Sequence, residues 1–316
     1  MQIRKNLIKL SLMLLILPFL ASGCSSKKED GGKLKVMTTI FPPYDIVRAI
    51  TKEEANISML LKPGADSHSF DPSPKDMASI EKSDIFIYVG GETWVDIILS
   101  GIDTKKVKVI RLMDYIDLKE EELVEGMESD HDHDRDEDHK EEYDEHIWTS
   151  PENMKKLVKK VKNELLKLDS KNKKNYEKNS NEYIEKLEKL DKKFKKIVEN
   201  SSRKELIFAD RFPFRYFTDE YDLKYSAAFS GCSNETEASA KTIAYLINKV
   251  KKEKIPVVFY LETSNGKMAD TIVSETGAKK LLLHSAHNIS ASDFKKGTTY
   301  IDIMEGNLKN LKEALK

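Results

Sequence analysis

The sequence has little cysteine: Cys24 and Cys232 are the only two in 316 residues. If Cys24 is consumed by processing near the N-terminus, Cys232 has no partner within the chain, so a disulfide framework is excluded as a source of stability. Net charge is nearly absent as well, at −1, which removes any whole-molecule field that would draw nucleic acid. No apolar run reaches the roughly 20 residues that a membrane-spanning helix needs; the run from Leu10 to Leu20 is too short. GxGxxG and P-loop sequences are missing, as are HExxH and a Ser-His-Asp grammar. Nucleotide binding and the familiar hydrolase chemistries therefore have no motif behind them.

What is present begins with a targeting pattern. Arg4, Lys5 and Lys9 flank the apolar run, and small residues lead to Cys24, as in a signal peptide over 1–23. Leu20-Ala21-Ser22-Gly23-Cys24 resembles a bacterial lipobox, with Ala21 where a leucine is usual and Leu20 one residue further back. The resemblance implies cleavage before Cys24 and a diacylglyceryl thioether on its sulfur. Residues 24–32 are small and polar, which suits a lipid-anchored tether.

The remaining length suffices for two compact domains. Strand-like runs at Lys33–Thr39, Asn56–Leu61, Asp84–Val89 and Val107–Leu112 alternate with helical patterns, and similar runs recur at Glu205–Ala209, Val257–Leu261 and Lys280–Leu283. Such alternation predicts α/β lobes with parallel sheets. Between them, Tyr176, Tyr183, Leu187, Leu190, Phe194 and Ile197 recur at helical spacing, which predicts one long helix connecting the lobes. The expected organisation is an N-terminal lobe over 33–170, a connecting helix over 171–200 and a C-terminal lobe over 201–316.

Charge is segregated: acid dominates 118–146 and lysine dominates 155–204. The acidic histidine loop, 128–145, contains His131, His133 and His139 and ends just before His146. Ser150-Pro151-Glu152 after His146 repeats the helix-start grammar of Ser73-Pro74-Lys75-Asp76 after His68, a capping serine followed by proline in the first turn. His68, His146, Asp210, Glu262 and His284 all fall in loops after expected strands or just before expected helices. Ligands of open parallel sheets bind at such strand ends, and nitrogen and oxygen donors there suit a divalent transition metal. Cys232 lies in a further loop, as a small residue near the expected cleft.

The residues now in hand carry a resemblance. The lipobox, Met37-Thr38-Thr39-Ile40-Phe41-Pro42, Gly64-Ala65-Asp66-Ser67-His68, His146-Ile147-Trp148-Thr149-Ser150-Pro151 and Glu275-Thr276-Gly277-Ala278 resemble the metal-specific (zinc/manganese) solute-binding lipoproteins of bacterial ABC importers, zinc type. The resemblance implies two (β/α) lobes with parallel-type sheets joined by one long backbone helix, with the metal between them. It carries the first two ligands to His68 and His146. The third position falls on Arg211, whose guanidinium stays protonated and cannot ligate, so Asp210 stands in as a candidate. The fourth falls on His284. The expected ligand set is thus His68, His146 and His284, with Asp210, Glu262 and His287 as additional donor candidates and His131, His133 and His139 as loop collectors of metal. Three imidazoles with one light donor favour Zn2+ over Mn2+.

The function implied is a monomeric extracytoplasmic zinc receptor, lipid-anchored to the membrane, which delivers its ion to an ABC permease and its ATPase. Three alternatives stay open at this point. They are a manganese receptor, a surface adhesin whose metal is structural, and an exported zinc hydrolase with Glu262 or Asp210 as general base.

Overall fold

The computed structural model describes residues 32–67, 69–127, 143–233 and 238–316. The chain divides into two units, Met1–Lys33 and Leu34–Lys316, and all the secondary structure below belongs to the second. The expected signal segment, most of the tether and Cys24 lie outside the described residues.

The first lobe alternates strand and helix: β1 (Leu34–Thr38), α1 (Phe41–Thr51), β2 (Ala55–Met59), α2 (Pro74–Ile80), β3 (Ile85–Tyr88), α3 (Val95–Gly101) and β4 (Lys108–Arg111). All pairings are parallel and the sheet order is β2-β1-β3-β4. Period-two alternation sends Val36, Ile85 and Ile87 to one face, and Met37 and Phe86 to the other, so both faces are covered by helices. Pro42 and Pro43 do not break α1; they sit in its first turn, where a missing N–H costs nothing.

α4 (Pro151–Leu168) and α5 (Lys173–Glu199) follow. The second lobe is β5 (Glu205–Phe212), α6 (Arg215–Glu220), β6 (Lys224–Ser230), α7 (Ala240–Glu253), β7 (Val257–Tyr260), α8 (Lys267–Thr276), β8 (Lys279–Leu282), α9 (Ala291–Lys296) and α10 (Tyr300–Ala314). Its sheet is parallel with order β6-β5-β7-β8, the same topology as the first. In each sheet the order reverses direction at a central pair, β1/β3 and β5/β7, and the crevice beyond such a reversal is where open sheets hold ligands.

α5 is 27 residues long, about 40 Å at 1.5 Å per residue. It packs on α4, on α1 of the first lobe and on α10 of the second. One apolar core, from Leu34 to Leu315, runs through these contacts. Asp45 on α1 ties the junction: its Oδ2 accepts from Tyr183 Oη on α5 at 2.7 Å and from Tyr300 N on α10 at 3.1 Å, while Arg48 pairs with its Oδ1. Arg48 also donates to Thr298 O at 2.8 Å. A buried carboxylate so fully partnered holds three elements in one register, because breaking such a group typically costs about 3–5 kcal/mol.

Candidate metal centre

His146 precedes a short 3-10 turn, Ile147–Thr149, and then Ser150, whose Oγ accepts from Asn153 N at 3.0 Å as the cap of α4. The chain reaches this turn through Tyr143, which bridges Glu120, and Asp144, whose N donates to Lys119 O at 2.9 Å. Tyr216 Oη donates to Asp144 O at 2.9 Å from the second lobe. Asp144 Oδ1 then accepts from His146 N at 2.7 Å and lies 3.1 Å from His146 Nδ1. A proton on Nδ1 satisfies that contact and leaves the Nε2 lone pair for a metal, the carboxylate–histidine arrangement common at zinc sites. Burial opposes a charge on this ring, but Asp144 and Glu145 outweigh it and raise the His146 pKa above its ordinary value.

Glu145 is 3% exposed, and its Oε2 finds no hydrogen-bond partner among the described residues. Gly91, just after β3, makes room for it: a Cβ there would overlap the Glu145 side chain. Burial, together with Glu92 and Asp144, pushes the Glu145 pKa up to about 8 against the pull of His146. A buried carboxyl with an unused oxygen is an unstable arrangement unless a cation or a proton neutralises it.

The second lobe contributes the segment after β8. Glu262 accepts from Ser285 N at 2.9 Å through Oε2 and from Ser285 Oγ at 2.6 Å through Oε1. Asn307 on α10 exchanges hydrogen bonds with the backbone of His284, at 2.9 and 2.8 Å. Ala286 takes φ +60° with its N donating to His284 Nδ1 at 3.0 Å. A left-handed alanine costs roughly 1–2 kcal/mol. This turn directs His287 toward His146, their ring centroids 5.2 Å apart, with Trp148 5.1–5.2 Å from both.

Glu145, His146 and His287 are all buried, and one donor atom from each lies within 4.8 Å of the others. His146 Nε2 is 4.0 Å and His287 Nε2 3.9 Å from Glu145 Oε1. Tetrahedral zinc with bonds of 2.0–2.1 Å separates its ligand atoms by about 3.3 Å, so each imidazole nitrogen needs to close on Glu145 Oε1 by roughly 0.6–0.7 Å. Ser67, Arg211, Gly231, Leu261 and Asn288 help to line the cavity there, about 20 Å³ in volume. That is room for one water-sized sphere.

The sequence matches over residues 36–314 the family described as zinc-uptake complex component A, periplasmic. The chain belongs to that family. It is 36% identical over 303 residues to the high-affinity zinc uptake system protein ZnuA of Bacillus subtilis, covering 93% of each chain. It is also 36% identical over 294 residues to the zinc-binding lipoprotein AdcA of Streptococcus pneumoniae, covering 92% of this chain but only 58% of that longer protein. The Zn(II)-bound ZnuA-like domain of S. pneumoniae AdcA superposes with a TM-score of 0.74 at 33% identity, covering 90% of this chain and 99% of that one. The two parallel-sheet lobes and long helix are thus the fold of the ZnuA family. Among the described residues no helix is long and apolar enough to cross a membrane.

Within this ZnuA-type fold the expected donors separate. The structure brings His287 to His146 and does not bring His284 there. His284 Nδ1 lies 3.3 Å from Glu262 Oε1, and burial is outweighed by that pairing, which raises the His284 pKa and lowers Glu262 to about 2. Asp210 is occupied by backbone donors, Arg211 N at 2.9 Å and Leu261 N at 3.2 Å. Arg211 lines the cavity, donating to Ser233 O at 3.3 Å, with Nη2 3.9 Å from Asp66 Oδ2. Cys232 N donates to Glu121 Oε1 at 2.7 Å, and burial first, then Glu145 and Asp144, raise its thiol pKa. His68, His131, His133 and His139 lie outside the described residues. Glu145 is the candidate donor that sequence reasoning missed: it closes a run of carboxylates and nothing in the spacing separates it from them.

Proposed function

We propose that this chain is an extracytoplasmic high-affinity zinc receptor, lipid-anchored through Cys24, that hands its ion to an ABC permease and its ATPase. The observation that carries the reading is the gathering of donor atoms from Glu145, His146 and His287 within 4.8 Å of one another, with His146 and His287 lining a small cavity between the lobes and Asp144 against His146 Nδ1. We assign those three as ligands and His68, from the family resemblance, as the fourth; Ser67, its chain neighbour, lines the same cavity. His287 replaces His284 in the set because His287, and not His284, lies with Glu145 and His146 in one donor group among the described residues. Imidazoles with one carboxylate in a small, closed site favour zinc over manganese. The hydrolase alternative loses its bases, since Glu262 is held by His284 and Ser285 and Asp210 by backbone N–H groups.

The three loop histidines are assigned a separate, weak zinc-gathering role. Because Glu120 and Tyr143 are bridged, removing residues between them leaves the approach to Asp144 closed. Protein purified without chelators is expected to carry one zinc per chain, and calorimetric titration to show one tight site plus weaker ones. Deleting Asp130 to Glu142 should abolish the weak sites and leave the tight one. Loss of the tight site in that variant would defeat the division of roles, and a preference for manganese in wild type would defeat the zinc assignment.

A further inference from the structure

We propose that Asn288 is a positioning residue that clasps the first lobe's loop 62–67 from across the cleft and so sets how long the captured ion stays; this rests on the zinc-receptor reading above. The loop is a preformed turn. Pro63 and Gly64 occupy its centre, Gly64 at φ +84°, and Ala65 N donates back to Lys62 O at 3.0 Å, the pattern of a type II turn. Asn288, only 2% exposed, belongs to the second lobe and grips both ends of that turn. Its Nδ2 donates to Lys62 O at 2.9 Å and to Ala65 O at 2.6 Å, while its Oδ1 accepts from Ile289 N at 2.8 Å. Both amide hydrogens are therefore spent on the opposite lobe, and the amide orientation follows from the bonds.

Ser67 and Asp66 also reach the second lobe, through His287 and Arg211, and neither of these two contacts suits the loaded state. Ser67 Oγ bonds His287 Nε2 at 2.7 Å, but that nitrogen cannot serve Ser67 and a zinc ion at once. Arg211 Nη2 reaches Asp66 Oδ2 only at 3.9 Å, and Asp66 is exposed, so solvent screens the pair. The Asn288 bonds are half-buried and involve none of the assigned metal ligands, so zinc arrival leaves them intact. An aspartate in the same place would set a carboxylate against two carbonyl oxygens.

The test uses purified chain loaded with one zinc and mixed in stopped flow with excess chelator, for wild type, Asn288→Asp and Asn288→Ala. Loss of two half-buried hydrogen bonds predicts zinc release about 10- to 100-fold faster, with one-to-one stoichiometry. A merely structural role would instead lower the zinc-competent fraction without changing the release rate of what remains. The alanine variant decides, because Asn288→Asp also adds an oxygen donor to the cavity wall. Release at the wild-type rate from a folded variant would overturn the clasp alone, whereas a wild type that holds no zinc would overturn the receptor reading and the clasp with it.

Discussion

His287→Ala is expected to weaken zinc binding by about 10²-fold or more, while His284→Ala shifts it by less than about tenfold. Four-ligand zinc sites in small domains are worth about 10–16 kcal/mol, so each ligand contributes on the order of 3 kcal/mol, a factor of ~10². His287 Nε2 faces the same carboxylate oxygen as His146 Nε2, and its removal leaves the second lobe without an assigned donor. His284 acts one step away. Its loss strips a partner from Glu262, which still holds Ser285 through two hydrogen bonds, and Ser285 in turn accepts from His287 N at 3.2 Å. Competition against a calibrated zinc chelator, with circular dichroism confirming the fold, separates the two variants. Equal losses would return His284 to the ligand set, and a larger loss in His284→Ala would reverse the assignment.

These two histidines show where sequence stops being informative. Both follow the same strand, three residues apart, and nothing in His284-Ser285-Ala286-His287 says which ring enters the cleft. The answer depends on a left-handed backbone at Ala286 and on long-range partners, Glu262 and Asn307, which no local pattern encodes. The lobes and the long helix were legible because buried parallel strands and an amphipathic helix leave periodic traces. β6 was not, since Ser226, Ala227 and Ala228 carry little strand signal and the strand is defined by pairing to β5. His146 was legible through its helix-start grammar; Glu145 was not, since its identity as a buried group depends on Gly91, more than fifty residues earlier, leaving space for it.

Zinc affinity is expected to fall steeply as pH drops from about 8 to about 6, because the site without metal holds protons that zinc must displace. Burial pushes Glu145 up to about 8, so near neutrality its carboxyl is mostly protonated. His146, buried but facing Asp144, is raised above its ordinary value and so takes up a proton more readily as pH falls. About one proton, that of Glu145, should leave per zinc bound near pH 7, a slope of roughly tenfold in affinity per pH unit, with His146 adding to it at lower pH. The sign for stability agrees. Both folded-state values are raised, so the metal-free protein draws stability from these groups at low pH and loses it as pH rises through them. Zinc replaces the missing positive charge, and the rise in thermal midpoint on adding zinc should therefore grow from pH 6 to pH 8. Calorimetry in two buffers of different ionisation enthalpy counts the protons directly. A count of zero, with affinity level across that range, would rule out a protonated Glu145–His146 pair as the state that zinc enters.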